Sequence, residues 1–341
     1  MNYFENIDKN IIEYFDILEP NFPEWLNDYI NTKELLKQQY ISVTCGTIYS
    51  DLFESNFFFS SLDHSIAVAL IIWHFTHDKK QTLSGLFHDI ATPVFKHCVD
   101  FLNGDYIKQE STEDLTSTII KNSNEITKLL ERDNIKLNEV DDYHIYPIAD
   151  NDTPQLAADR LEYSLSNALF SYKLADINTI REIYNNINIQ KNENRIDELG
   201  FKNEEIAMHF IKLTTKLSIK YREDKTRYSM QFIADILKEL NKENLIKKED
   251  LYSLKESDII KIIENSKLKD VFDKWRKSKK ILTSKTKPEN VYYILQESKV
   301  RYIDPLVNKI RISKLNKEAN KEIQKNLSYK MHNYVYLNLK F

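Results

Sequence analysis

The chain has 341 residues, 42% of them apolar and 29% charged, enough to bury a sizeable core without disulfides or a structural metal. Its longest apolar run, Ile66 to Trp73, falls far short of the roughly 20 residues of a membrane span, so no membrane partner is expected. Two cysteines, Cys45 and Cys98, are too few for a disulfide framework, and the acidic start MNYFENIDKN is unlike a signal peptide, which points to a cytoplasmic location. With only four glycines (Gly46, Gly85, Gly104 and Gly200), no GxGxxG or GxxxxGK[ST] phosphate cradle can be drawn. The net charge of -4 hides an asymmetry: residues 1–200 hold 16 basic against 33 acidic side chains, and residues 201–341 hold 32 against 19. An acidic front and a basic back either face each other or serve different partners.

Residues 1–40 read as short helices broken at Pro20 and Pro23, and Tyr40 to Ser50 as an extended segment turning at Gly46. Ser60 followed by Asp63 resembles a capping box ahead of a buried helix, Leu62 to Phe75. A second helix spans Thr82 to about Ile90, ending where Pro93 pushes Thr92 out of helical geometry. Residues 110–132 repeat the helical period, with Leu115, Ile119, Ile120, Ile126, Leu129 and Leu130 as the inner stripe. Thr153 and Pro154 read as an N-cap and first-turn proline for a helix running to about Phe170. Further helices are predicted over Ile206 to Tyr221, Tyr228 to Leu240 and Ser257 to Trp275, and strands over Val291 to Leu295, Ile310 to Ser313 and Tyr334 to Leu339.

The chemistry concentrates between residues 60 and 170. His64 lies near the start of one helix, His88 and Asp89 at the end of the next, and Asp159 in a third. Imidazole and carboxylate suit a borderline-to-hard divalent cation, and converging helix ends would leave positions open for water. His74 and His77 read as surface histidines and the two cysteines as small buried apolar groups, while Asp150 and Asp152 read as an acidic turn ahead of a helix, with a reach to the metal or a second ion as the alternative.

The segments LDHSIAVALIIWHF, LSGLFHDIATPVFKH and LAADRLEYSL resemble the three signature blocks of HD-domain metal-dependent phosphohydrolases. The nearest branch is the deoxynucleoside triphosphate triphosphohydrolases, whose blocks read roughly R-x-x-H-S-L-G-V, H-D-x-G-H-x-P-F-x-H and D-x-D-R-x-D-Y. The match covers residues 58–170, and EDLYSLKESDIIKII (Glu249 to Ile263) faintly resembles a later helical stretch of that branch. The resemblance implies that His64, His88, Asp89 and Asp159 ligate one divalent ion (Mn, Fe, Ni, Co, Zn or Mg). It also implies catalytic roles for His97, near the leaving group and held by Asp100, and for Glu110. Substrate contacts are implied for Arg160 and Tyr163. Tyr163 follows Asp159 by one helical turn. Thr92 stands where the branch has the second histidine of H-D-x-G-H, and Ala91 where it has glycine. Ser61 replaces an arginine, Gln109 a histidine, and Asn167 an acid that contacts substrate.

The expected fold is mainly α: an HD-domain helical bundle with a C-terminal helical extension and a small β-containing tail. The expected division is a packing segment at 1–57, the metal-bearing domain at 58–200 and the basic extension at 201–341. The expected function is hydrolysis of a nucleotide-like phosphoester or phosphoanhydride through a metal-activated water, with Lys96 and Arg160 neutralising phosphate. The alternative is a catalytically silent HD module that binds a nucleotide or partner in a regulatory role. The partner is a nucleotide or other phosphorylated small molecule, and the triphosphohydrolase resemblance implies a homo-oligomer. The lysine-rich run Arg276 to Pro288 reads as a solvated loop; with a pI near 6.1, nucleic acid is possible but not favoured.

Overall fold

The apolar stretch after Ser60 forms the central helix, Ser61–Thr76, buried all round from Ser61 through Ile72. Its capping box forms as the sequence predicts: the Asp63 N–H donates to Ser60 Oγ (3.0 Å), and the Ser60 N–H to Asp63 Oδ2 (2.6 Å). This is a computed structural model, and it describes residues 2–5, 7–54, 57–108, 115–331 and 333–340.

The helix Lys79–Phe87 packs against the central one, its N-terminus capped by Asp78. Gly85 makes that approach possible, because a Cβ there would lie 2.2 Å from Ile72 Cδ1. A third helix, Ala158–Ser166, crosses the central helix on another side, and Lys9–Leu18 covers it from outside. An aromatic group closes this corner, with Tyr14 edge-on to Phe170 at 5.6 Å and Phe59 stacked on Phe170 at 4.9 Å.

The protein is mainly α with a few short strands. One apolar core joins these helices to Ile177–Asn185, Glu204–Tyr221 and Lys317–Leu327. A second gathers Val94 to Phe101, the inner face of Asp224–Lys242, and Trp275, Ile294 and Val335. Among the described residues, no helix is long and apolar enough to cross a membrane.

A four-stranded sheet runs in the order Ile187–Lys191, Asp197–Phe201, Leu306–Val307, Ile310–Arg311. The outer pairs are antiparallel, and the central pair, joining residues far apart in sequence, is parallel. In a three-stranded sheet, Tyr334–Tyr336 lies antiparallel between Leu282–Ser284 and Tyr293–Ile294.

Several expectations are corrected. Tyr40 to Ser50 is not extended: Cys45 and Gly46 both take left-handed backbone (φ 53° and 77°), and the segment folds into turns held by one bridge, Ser42 to Ser60. The helix expected from Thr153 begins at Ala158. Asn151 Nδ2 donates to the Pro147 and Leu156 carbonyls, and the Leu156 N–H donates to Glu198 Oε1 (3.1 Å), which holds the preceding residues in a turn. That helix stops at Ser166 and passes into a π turn, Asn167–Ser171. Ser257 to Trp275 is divided into Glu256–Glu264 and Lys269–Arg276, because Ser266 Oγ bonds the Ile263 carbonyl and the Leu268 N–H. Residues 116–132 form two helices either side of Ser123, and Leu115 is exposed rather than part of the inner stripe. The lysine-rich run is not all loop, since Leu282–Ser284 is a paired strand.

Candidate metal centre

His64 sits in the first turn of the central helix, and its orientation is set from behind. Its Nδ1 is hydrogen-bonded to Oε2 of Glu162, a fully buried carboxylate one turn beyond Asp159 on the same helix. Glu162 in turn accepts from Tyr14 Oη (3.2 Å) and Ser166 Oγ (3.3 Å). His88 terminates the Lys79–Phe87 helix, and its Nδ1 is 2.6 Å from the Gly85 carbonyl, which makes that nitrogen the donor.

With both Nδ1 atoms engaged, the two Nε2 atoms face each other at 3.2 Å. Asp159 Oδ1 lies 3.2 Å from His64 Nε2 and 3.8 Å from His88 Nε2, and Asp89 Oδ2 lies 3.8 and 3.9 Å from the same atoms. Ligand atoms of His64, His88 and Asp89 all fall within 4.8 Å of one another, a spacing that suits one metal ion. Electrostatics agree. Burial alone would lower the pKa of His64, but the Glu162 charge, with hydrogen bonds to Asp159 and Glu162, raises it to about 10. The surrounding carboxylates therefore favour positive charge at this point, and the donor set fits a divalent cation.

Around the cluster, Lys96 Nζ lies 2.6 Å from Asp89 Oδ2 and 3.5 Å from Ser61 Oγ. Phe95 and Lys96 adopt successive positive φ values of 60° and 43°, a rarely populated backbone that aims this lysine inward. Burial would raise the Asp89 carboxyl, but Lys96 and the two histidines hold it well below the usual range; Asp159 falls to about 2, its burial outweighed by His64 and His88. His97 Nδ1 is 2.9 Å from Oδ2 of the buried Asp100, and burial lowers the imidazole's pKa. Arg160 is tied to the Gln155 carbonyl (2.8 Å), Asn151 Oδ1 (2.5 Å) and Asp150 (3.1 Å). Asp150 is therefore a buried ion-pair partner as well as part of a turn. Tyr163 lines the same cavity, its hydroxyl pKa raised to about 12 by burial. His74 pairs with Glu19 (3.1 Å), and His77 caps the C-terminus of the central helix. Glu110 and Gln109 lie outside the described residues.

Of the site residues expected from sequence, His64, His88, Asp89, Lys96, His97, Asp159, Arg160 and Tyr163 line one cavity of about 710 Å³, and Asp100 stands behind His97. Sequence reasoning missed part of its wall. Glu162 carried a signal, its one-turn spacing from Asp159. Tyr172, Tyr221 and the segment Ser298 to Tyr302 also line the cavity, and only the opposed charges of the two halves hinted that a basic segment would reach an acidic site. Arg301 lies 5.9 Å from the Tyr221 ring centroid.

No protein-family model matches the chain. It is 24% identical over 260 residues to the uncharacterized protein YdhJ of Bacillus subtilis, covering 72% of this chain and 73% of that one. The fold is shared with a hypothetical protein from Aquifex aeolicus (TM-score 0.62, 15% identity, 93% of each chain). It is shared also with a phosphohydrolase from Bacteroides thetaiotaomicron (TM-score 0.58, 14% identity, 98% of this chain and 97% of that one). The chain shares its fold with these two proteins, and likeness at these identities concerns the fold alone.

Proposed function

We propose that the protein is a metal-dependent phosphohydrolase of the HD type, acting on a nucleotide-like phosphoester or phosphoanhydride. The observation that carries this reading is the facing pair of Nε2 atoms of His64 and His88, flanked by Asp89 and Asp159, with both Nδ1 atoms already committed elsewhere. A divalent cation held by these four residues supplies Lewis acidity and a water of lowered pKa. Lys96, Arg160 and Arg301, all on the cavity wall, neutralise the substrate's phosphates. His97, oriented by Asp100, passes a proton to the departing oxygen. Tyr163 packs beside the substrate, and a cavity of about 710 Å³ suits a ligand of nucleotide size.

The test is a phosphate-release assay on a nucleotide panel, with Mn, Mg, Ni, Co, Zn and Fe supplied separately. Product is expected from the native chain and from neither His88→Ala nor Asp89→Ala. A second reading, a silent module that binds a nucleotide in a regulatory role, draws support from the Lys96–Asp89 pair, in which an ammonium already compensates a ligand carboxylate. Nucleotide binding without turnover under every metal would favour it.

A further inference from the structure

Far from the His–Asp cluster in sequence, the C-terminal strands carry a different chemistry. Directly paired strand residues share a face. In the three-stranded sheet, Val335 and Ile294 point into the core, 0% and 3% exposed. The opposite face therefore presents Tyr334, Tyr336 and Tyr293 beside Leu282 and Ser284, and none of the five is buried. The Tyr293 and Tyr334 rings meet edge-on at 5.5 Å, and Lys287 Nζ lies 5.5 Å from the Tyr293 centroid. Tyr292 serves instead as an anchor, donating to Asp235 Oδ2 (2.6 Å) and packing edge-on against Tyr228 and Phe232.

The strand that completes this sheet is the lysine-rich run, with six basic residues and no acid between Arg276 and Pro288. Arg276 pairs with Glu264. Lys277, Lys279, Lys280 and Lys285 are exposed and form no ion pair among the described residues, and exposed Lys330 and Lys340 flank the central strand. Tyrosine rings on an open sheet face offer stacking to unpaired bases, and a neighbouring lysine cluster offers neutralisation to the phosphates joining them. A duplex keeps its base faces stacked inside and can use only the lysines. The part of the chain that carries this face, residues 201–341, holds 32 basic against 19 acidic side chains, a balance that favours a polyanion.

We propose that this face binds single-stranded nucleic acid, with Tyr293, Tyr334 and Tyr336 stacking bases and Lys279, Lys280, Lys285 and Lys287 contacting phosphates. The proposal does not rest on the phosphohydrolase reading, because its test needs no turnover. The 341-residue chain is titrated against fluorescein-labelled oligothymidylate, and against the corresponding duplex, with anisotropy as the readout from about 50 to 200 mM salt.

The single strand is expected to bind tighter than the duplex. Its log affinity should fall with log salt at a slope near -3, as about four phosphate contacts require. Tyr334→Leu/Tyr336→Leu keeps apolar cover over the sheet and is expected to weaken binding about tenfold or more; Tyr→Phe at the same positions is expected to restore it, with unchanged thermal melting confirming the fold. Lys279→Glu/Lys280→Glu/Lys285→Glu is expected to abolish binding. The proposal is overturned if no strand binds, if the duplex binds equally well, or if only the lysine variant loses affinity, which is non-specific adsorption. It is also overturned if the face proves to be a self-contact, seen as a dimer in sedimentation that the leucine variant dissociates while no oligonucleotide binds.

Discussion

At the scale of single residues, the proposed centre depends on the groups behind its candidate ligands as much as on those residues themselves. Glu162 fixes which nitrogen of His64 faces the cavity, with Tyr14 and Ser166 fixing Glu162. Glu162→Gln is expected to weaken Mn binding about 10- to 100-fold by titration calorimetry; an unchanged affinity would show that Glu162 does not orient the ligand. If His97 gives up the proposed proton, its acting form is the protonated one, and burial lowers its pKa from the ordinary 6.5. In kcat/KM, a limb that declines as pH rises is therefore expected, with its midpoint below 6.5. His97→Gln is expected to remove this limb and lower kcat by about 10²- to 10⁴-fold; a profile that keeps the limb would assign it elsewhere. The order H, HD, D, read with the family resemblance, picked out His64, His88, Asp89 and Asp159 together, and the structure gathers the four around one point. Tyr14 and Arg301 were not legible, since each reaches the site through tertiary packing alone.

At the scale of elements, two contacts fix how the ligand-bearing segments meet. Gly85 lets the helices that carry His64 and end at His88 approach, and a methyl group there must displace Ile72 and crowd Val68. Gly85→Ala is expected to cost about 1–3 kcal/mol in urea unfolding and to weaken metal binding in parallel; a neutral effect would mean that the helix pair yields freely. Glu256 joins three segments: it accepts from the Ser42 N–H (3.2 Å), Tyr49 Oη (2.8 Å) and the Phe95 N–H (3.3 Å), beside the loop that aims Lys96. Burial raises its carboxyl from the ordinary 4.5 to about 7 despite those bonds. A raised folded-state value means that its stability contribution is complete below about 4.5 and is lost as pH rises through 7. Glu256→Gln is expected to flatten the dependence of Tm on pH between about 4.5 and 7, and an unaltered slope would remove Glu256 as its source. The main helices were legible from periodicity and capping. The hairpin Ile187–Lys191 with Asp197–Phe201 was not, because its polar sequence has little strand character and its burial comes from a partner strand a hundred residues away.

At the scale of the whole molecule, the acidic and basic halves meet at one cavity, and an ion-pair clamp joins them. Arg311 donates to both oxygens of buried Glu198 (2.6 and 2.8 Å) and to Glu193 (2.7 Å), while Glu198 also accepts the Leu156 N–H ahead of Asp159. Arg311→Ala leaves the Glu198 charge buried and unpaired, with an expected loss of about 3–5 kcal/mol in urea unfolding; a loss below 1 kcal/mol would mean that water reaches Glu198 freely. The charge split along the sequence was legible, but which basic residues would turn inward was not.

The central claim is that four side chains from three helices and their ends make one cation site. Equilibrium dialysis against Mn or Ni, followed by elemental analysis, tests it most directly. About one equivalent per native chain is expected, and none in folded His88→Ala or Asp159→Asn. A native chain that retains no divalent ion, or variants that retain as much as the native chain, would contradict it.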